Sequence, residues 1–285
     1  MKKIFLGMLI LGIMVVGVSA GLIVHYGWFE QEIQVIQPIL TSGDLSQTIS
    51  CLSGETCLNE ENYIQISNYA NYDIDVQLSS NSEPGIEVNY ISKLKLNNKD
   101  ANWKEINDER EGNLEYNIVG DEFKYKFEAT GLIPNTDYSL IYYADKPERF
   151  VEWGGNNPGA LIIATTSNNE GNLIVEGSKD LGINLPSESD ANIDEYNYCA
   201  SDRYPRCPGA KIWLVLSSDY AEPELNGWNP TEYLFETDLI SYSKNSNGII
   251  TIPGDGAIEF IPEYTLSNLL DTGTYQITIE INPVV

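Results

Sequence analysis

Period-two alternation restricts this chain more than any other feature. Ile74, Val76 and Leu78 alternate with Asp73, Asp75 and Gln77, and Leu114, Tyr116 and Ile118 with Asn113, Glu115 and Asn117. Phe123, Tyr125 and Phe127 alternate with Lys124, Lys126 and Glu128; Tyr275, Ile277, Ile279 and Ile281 alternate with Gln276, Thr278 and Glu280. Successive strand side chains point to opposite faces, so each stretch reads as a strand with one face on a core and one in water. Asn/Gly/Ser turns such as 168–171 and 245–248 separate these runs, as antiparallel sheets require. Residues 211–216 (K-I-W-L-V-L) are more uniformly apolar and predict a central strand covered on both faces. Short helical turns are expected only at 264–270 and 230–234. The fold expected is all-β.

Leu132, Pro134, Thr136 and Tyr138 spell L-x-P-x-T-x-Y and run straight into an apolar strand. This resembles the tyrosine corner of fibronectin type III-like sandwiches, in which the hydroxyl bonds back across the turn. Leu270, Gly273 and Tyr275 form a shorter relative of the same device. Two corners suggest two Ig-like or jelly-roll antiparallel sandwiches. Polar joints lie at 99–110 and 243–248. The pieces outside them are each too short for a sandwich alone, so one sandwich is expected to be assembled from 21–98 plus 244–285, with 99–243 inserted into it. Two domains in tandem are the alternative.

Residues 1–20 carry Lys2 and Lys3, an apolar run at 4–16, and small residues at Ser19 and Ala20. That is the layout of a secretory signal peptide. The apolar run is shorter than the roughly 20 residues of a membrane-spanning helix, although an uncleaved anchor has the same layout. The expected location is extracellular or at the cell surface, without membrane insertion once the signal is removed. Cleavage takes the net charge from −26 to −28. Such a chain repels nucleic acid and anionic lipid. The acids serve solubility, or some of them hold a hard cation such as calcium through carboxylate oxygens. Asp190, Asp194 and Glu195 form an acidic loop beside the second cysteine pair and are the calcium candidates.

Four cysteines fall as two close pairs, Cys51/Cys57 and Cys199/Cys207. Outside the cell, local pairing into two small disulfide loops is expected, with Gly54 at the centre of the first. A zinc site competes, but the spacing is not C-x2-C and no histidine lies nearby.

The chemical inventory argues against an enzyme. His25 is the single histidine, and there is no H-E-x-x-H, G-x-S-x-G or phosphate-binding G-x-x-x-x-G-K-[ST]. No spacing singles out a carboxylate pair for glycoside hydrolysis among the 42 acids. Aromatics are the better binding candidates. Trp213 lies inside the apolar strand and reads as core; Trp153 and Trp228, flanked by Gly and Asn in loops, read as candidate ligand contacts.

The signal running into residues 21–27, the strands at 64–68 and 74–78, and the closing run at 273–279 resemble the TasA/camelysin group of secreted filament proteins. That resemblance implies a sandwich that polymerises by donating an N-terminal strand to the next subunit. The middle segment and both cysteine pairs depart from the group's pattern, and its protease metal ligands have no counterpart here. The expected function is a non-enzymatic filament or coat subunit whose partners are other copies or other surface proteins. The alternative is a monomeric glycan- or calcium-binding module.

Overall fold

In this structure, a computed structural model, the described residues are 39–43, 51–58, 63–70, 74–100, 104–106, 108–143, 161–182, 184–185, 211–221, 224–238, 240–252, 256–270 and 275–284. The first strands are β1 (Ile39–Gly43), β2 (Thr56–Leu58), β3 (Ile64–Asn68), β4 (Ile74–Asn81), β5 (Ile86–Asn97) and β6 (Glu111–Asn117). Next come β7 (Val119–Gly120), β8 (Phe123–Thr130), β9 (Asp137–Tyr143), β10 (Leu161–Thr166), β11 (Leu173–Lys179) and β12 (Lys211–Leu216). The last are β13 (Tyr220–Ala221), β14 (Glu224–Leu225), β15 (Leu234–Glu236), β16 (Ser243–Lys244), β17 (Ile249–Ile252), β18 (Ala257–Leu266) and β19 (Thr278–Pro283). The protein is all-β, and every ladder is antiparallel except the two-residue β16–β7 pair.

Pleat geometry turns the alternation into a core. In β8, Phe123, Tyr125 and Phe127 are buried while Lys124 and Lys126 are exposed. Val76 and Leu78 of β4 and Leu114 and Tyr116 of β6 are buried in the same way. The closing strand starts later than its alternation suggests, at Thr278, and Ile279 and Ile281 are only half-buried. The segment 264–270 is not helical. β18 continues to Leu266 because Glu263, Tyr264 and Thr265 are paired on both edges, to β2 and to β5, and a turn follows. Ladder bonds here override a local apolar pattern that reads equally well as a helical turn. The turn expected at 230–234 is present as a 3-10 turn, Pro230–Glu232.

Early and late strands of the described chain pair with each other. β3 lies between β1 and β18, and β4 lies between β17 and β19. β5 connects this region to the rest. Ile91 faces both Ile261 of β18 and Asn117 of β6, so those strands occupy opposite edges of β5. Leu96 likewise faces Gly112 of β6 and Glu236 of β15, so β18 and β15 follow one another along a single edge. From there the ladder runs β15, β12, β9, β10, while β6 leads to β8 and β11. One continuous apolar core runs from Ile66, Val76, Ile252 and Phe260 through Leu114 and Phe127 to Leu140 and Leu214.

Tyr138 is fully buried at the start of β9, and its hydroxyl accepts a hydrogen bond from the Ile133 N–H at 3.2 Å. Asn135 takes the left-handed conformation the turn needs, a backbone region Asn tolerates better than most residues. Tyr275 is half-buried and lies three residues ahead of β19, outside any strand.

Candidate functional site

β9, β12 and β15 bury both of their faces. Leu140, Tyr142, Ile212, Leu214 and Leu234 point into the main core. Ile141, Trp213, Val215, Tyr233 and Phe235 form a separate, smaller cluster on the opposite face. This is why residues 211–216 lack alternation. The small cluster is capped by the connection from β12 to β15, which includes two 3-10 turns and the short β13–β14 pair; Tyr220 and Leu225 pack against the cluster from there.

Asp219 organises that connection. Its carboxylate accepts hydrogen bonds from the Tyr233 hydroxyl at 2.6 Å and from Asn229 Nδ2 at 2.8 Å. Its backbone carbonyl accepts from the N–H groups of Asn226 and Gly227. Gly227 lies so close to the carboxylate that any Cβ there would collide with it. Tyr233 also accepts from the Asn229 N–H at 3.1 Å. Burial, and then the bond to Asp219, push the Tyr233 phenol far above its usual pKa. The far end of the connection is held from below: the Thr231 carbonyl accepts from Asn98 Nδ2 at 2.7 Å and from the Arg110 guanidinium, which also pairs with Glu232 at 2.8 Å.

Beside the aromatic cluster lies a buried ion pair. Lys99 Nζ is 3.6 Å from Glu236 Oε1, with each side chain about 4% exposed. Lys99 also donates to the Glu236 backbone carbonyl at 3.0 Å and sits 5.5 Å from the centre of the Phe235 ring. The Trp213 indole N–H donates to Glu236 Oε2 at 2.7 Å. Burial raises the Glu236 carboxyl above its usual pKa, and the charges of Lys99 and Lys211 pull in the other direction without cancelling the rise.

Trp228 stands over this assembly and is 51% exposed. Its ring meets Tyr233 edge-on at 5.7 Å and tilts against Trp213 at 6.0 Å and Phe235 at 6.3 Å. The expected core role of Trp213 and the loop position of Trp228 both fit this arrangement. Tyr233 is one of the aromatics that the sequence groups with the tryptophans, whereas Lys99, Asp219 and Glu236 were not indicated, because charged residues scattered through an acidic chain carry no spacing signal. The one available hint was chemical: Asp219 and Glu236 bracket a Trp/Tyr/Phe-rich stretch.

Among the other candidates, Cys51 and Cys57 form a disulfide with Cα atoms 5.9 Å apart. Their loop docks on the end of β18, where the Gly54 N–H donates to the Leu266 carbonyl and the Leu266 N–H donates to that of Glu55. Cys199, Cys207, Trp153, Asp190, Asp194, Glu195, His25 and residues 1–20 lie outside the described residues. Among the described residues, no group of three His, Cys, Asp or Glu side chains is placed to hold a metal ion, and no helix is long and apolar enough to cross a membrane. No protein-family model, curated protein or solved structure matches the chain.

Proposed function

We propose that the protein is an exported, non-enzymatic structural subunit of the cell surface that associates with further copies by strand donation. The outer edge of β19 carries this reading. β4, at the centre of its three-stranded sheet, buries Val76 and Leu78 completely or nearly so. Ile279 and Ile281 of β19 pack against the same core yet stay half-buried, and among the described residues no strand pairs with β19 beyond β4. A strand laid along that edge would gain main-chain hydrogen bonds and cover both isoleucines. The donor in this reading is the segment ahead of β1 in a second copy: residues 22–28 are apolar, and Ile33 and Val35 follow before Pro38. The pairing of early and late strands around β4 and β18 supports a sandwich assembled from 21–98 and 244–285, with 99–243 as the insertion.

Electron microscopy and size-exclusion chromatography of the secreted protein test this reading. The intact mature chain should give fibres or higher oligomers, and a chain lacking residues 21–30 should remain monomeric. Normal assembly of the shortened chain would dispose of strand donation. N-terminal sequencing of the secreted material should find Gly21.

A further inference from the structure

We propose that Trp228 is the platform of a binding site for a neutral sugar ring of a glycan. The site stands on the folded chain itself and does not depend on whether copies assemble. Three features converge on it. First, the ring is presented and held. Trp228 is 51% exposed, and the buried rings of Trp213, Tyr233 and Phe235 pack against it. Second, its loop is preorganised by the bonds of Asp219 to Tyr233 and Asn229 and by the glycine contact at Gly227, so little ordering remains to be done on binding. Third, the neighbours suit a sugar. Asn226 and Asn229 flank the tryptophan and are exposed; the Asn226 amide and the Asn229 Oδ1 supply polar groups beside an apolar ring, while Asn229 Nδ2 is held by Asp219.

Size and charge select the occupant. Half of a tryptophan offers about 100 Å2 of apolar surface. One pyranose covers an area of that order, its C–H face on the indole and its hydroxyls toward the amides. Nucleic-acid bases also stack on tryptophan, but their phosphates would meet a chain of net charge −26. The same field disfavours uronic-acid and sulfated glycans, which leaves neutral sugars.

Titration of the intact mature protein, followed by tryptophan fluorescence, tests the proposal. The probes are xylohexaose, cellohexaose, mannohexaose and the hexamer of N-acetylglucosamine, with oligogalacturonate as the charged control. At least one neutral probe should bind saturably below about 10 mM, and the control should not. Trp228→Ala should weaken that binding about tenfold or more while the melting temperature stays within about 4 °C of the parent. Trp228→Phe, which keeps a ring in place, should retain most of the binding. The proposal fails if no neutral probe binds, if Trp228→Ala binds as well as the parent, or if Trp228 becomes shielded from acrylamide only when copies assemble. That last result would make the ring a contact between subunits.

Discussion

The two faces of the β9–β12–β15 sheet are both buried but are built differently. On the inner face, Leu140, Leu214 and Leu234 join a continuous core filled by rings and aliphatic chains such as Phe127 and Leu114. On the outer face, five buried apolar residues share their space with the Lys99–Glu236 ion pair and, through Tyr233, with Asp219. The inner face draws its stability from apolar area and close packing, which do not depend on protonation. The outer face holds polar groups that are hydrogen-bonded and paired, an arrangement that ordinarily adds little stability, and the bonds of Asp219 fix the β12–β15 connection that straps over it. The half-exposed Trp228 sits on the outer face.

This contrast is sharpest in the response to truncation. Phe127→Ala should cost about 3–5 kcal/mol in urea denaturation, since the ring is fully buried and the surroundings of such a cavity ordinarily relax only in part. That loss should be the same in mild acid and at neutral pH. Lys99→Met should cost a comparable amount near neutrality, about 3–5 kcal/mol, because it leaves the Glu236 carboxylate buried without its nearest cation. In contrast to Phe127→Ala, much of this loss should be recovered on acidification, as Glu236 takes up a proton. If the two variants showed the same pH dependence, the distinction between the faces would fail.

Tyr233→Phe is a gentler probe of the strap. It removes the 2.6 Å bond to Asp219 and the acceptor for the Asn229 N–H, and should cost about 1–3 kcal/mol. Hydrogen exchange should rise in residues 217–233 and remain unchanged in β6 and β8. Exchange that rises everywhere would mean the outer cluster is part of the main cooperative unit.

The inner face was largely legible in the sequence. Alternation in β4, β6 and β8 located its buried residues, and the uniform run of β12 announced a strand covered twice. L-x-P-x-T-x-Y located the corner because the motif is local: Tyr138 reaches back only five residues to Ile133. The outer face was not legible because its contacts join residues far apart in sequence. Lys99 meets Glu236 across 137 residues only because β5 and β15 are neighbours, and nothing near either residue announces that pairing. Trp228 stood out as an aromatic in a Gly/Asn setting, whereas the residues that hold it in place did not. The late start of β19 has a similar cause. Tyr275 and Ile277 continue its alternation, but the ladder with β4 extends only from Thr278 to Pro283.

The smallest expected effect is also the most specific test of the outer face. Removing one charge from a buried pair is ordinarily expensive, yet burial outweighs the attraction of both Lys99 and Lys211 at Glu236, since its carboxyl remains raised from the usual 4.5. Glutamine resembles the protonated acid in shape and can still accept the Trp213 indole hydrogen bond. Glu236→Gln should therefore change stability at neutral pH by about 1 kcal/mol or less, well below the loss for Lys99→Met. The sign of its pH dependence follows from the direction of the shift. A carboxyl whose folded pKa is raised contributes most below its unfolded value and loses that contribution as pH rises through the folded one. The parent should thus lose stability relative to Glu236→Gln as pH climbs from about 4.5 through the raised pKa, and the gap should then level off. Measuring the difference between the two proteins cancels other shifted carboxyls, such as Glu263, which burial also raises. A parent that gained on the glutamine variant over the same range would show that the two lysines outweigh burial, and that the ion pair stabilises the outer face instead of only specifying it.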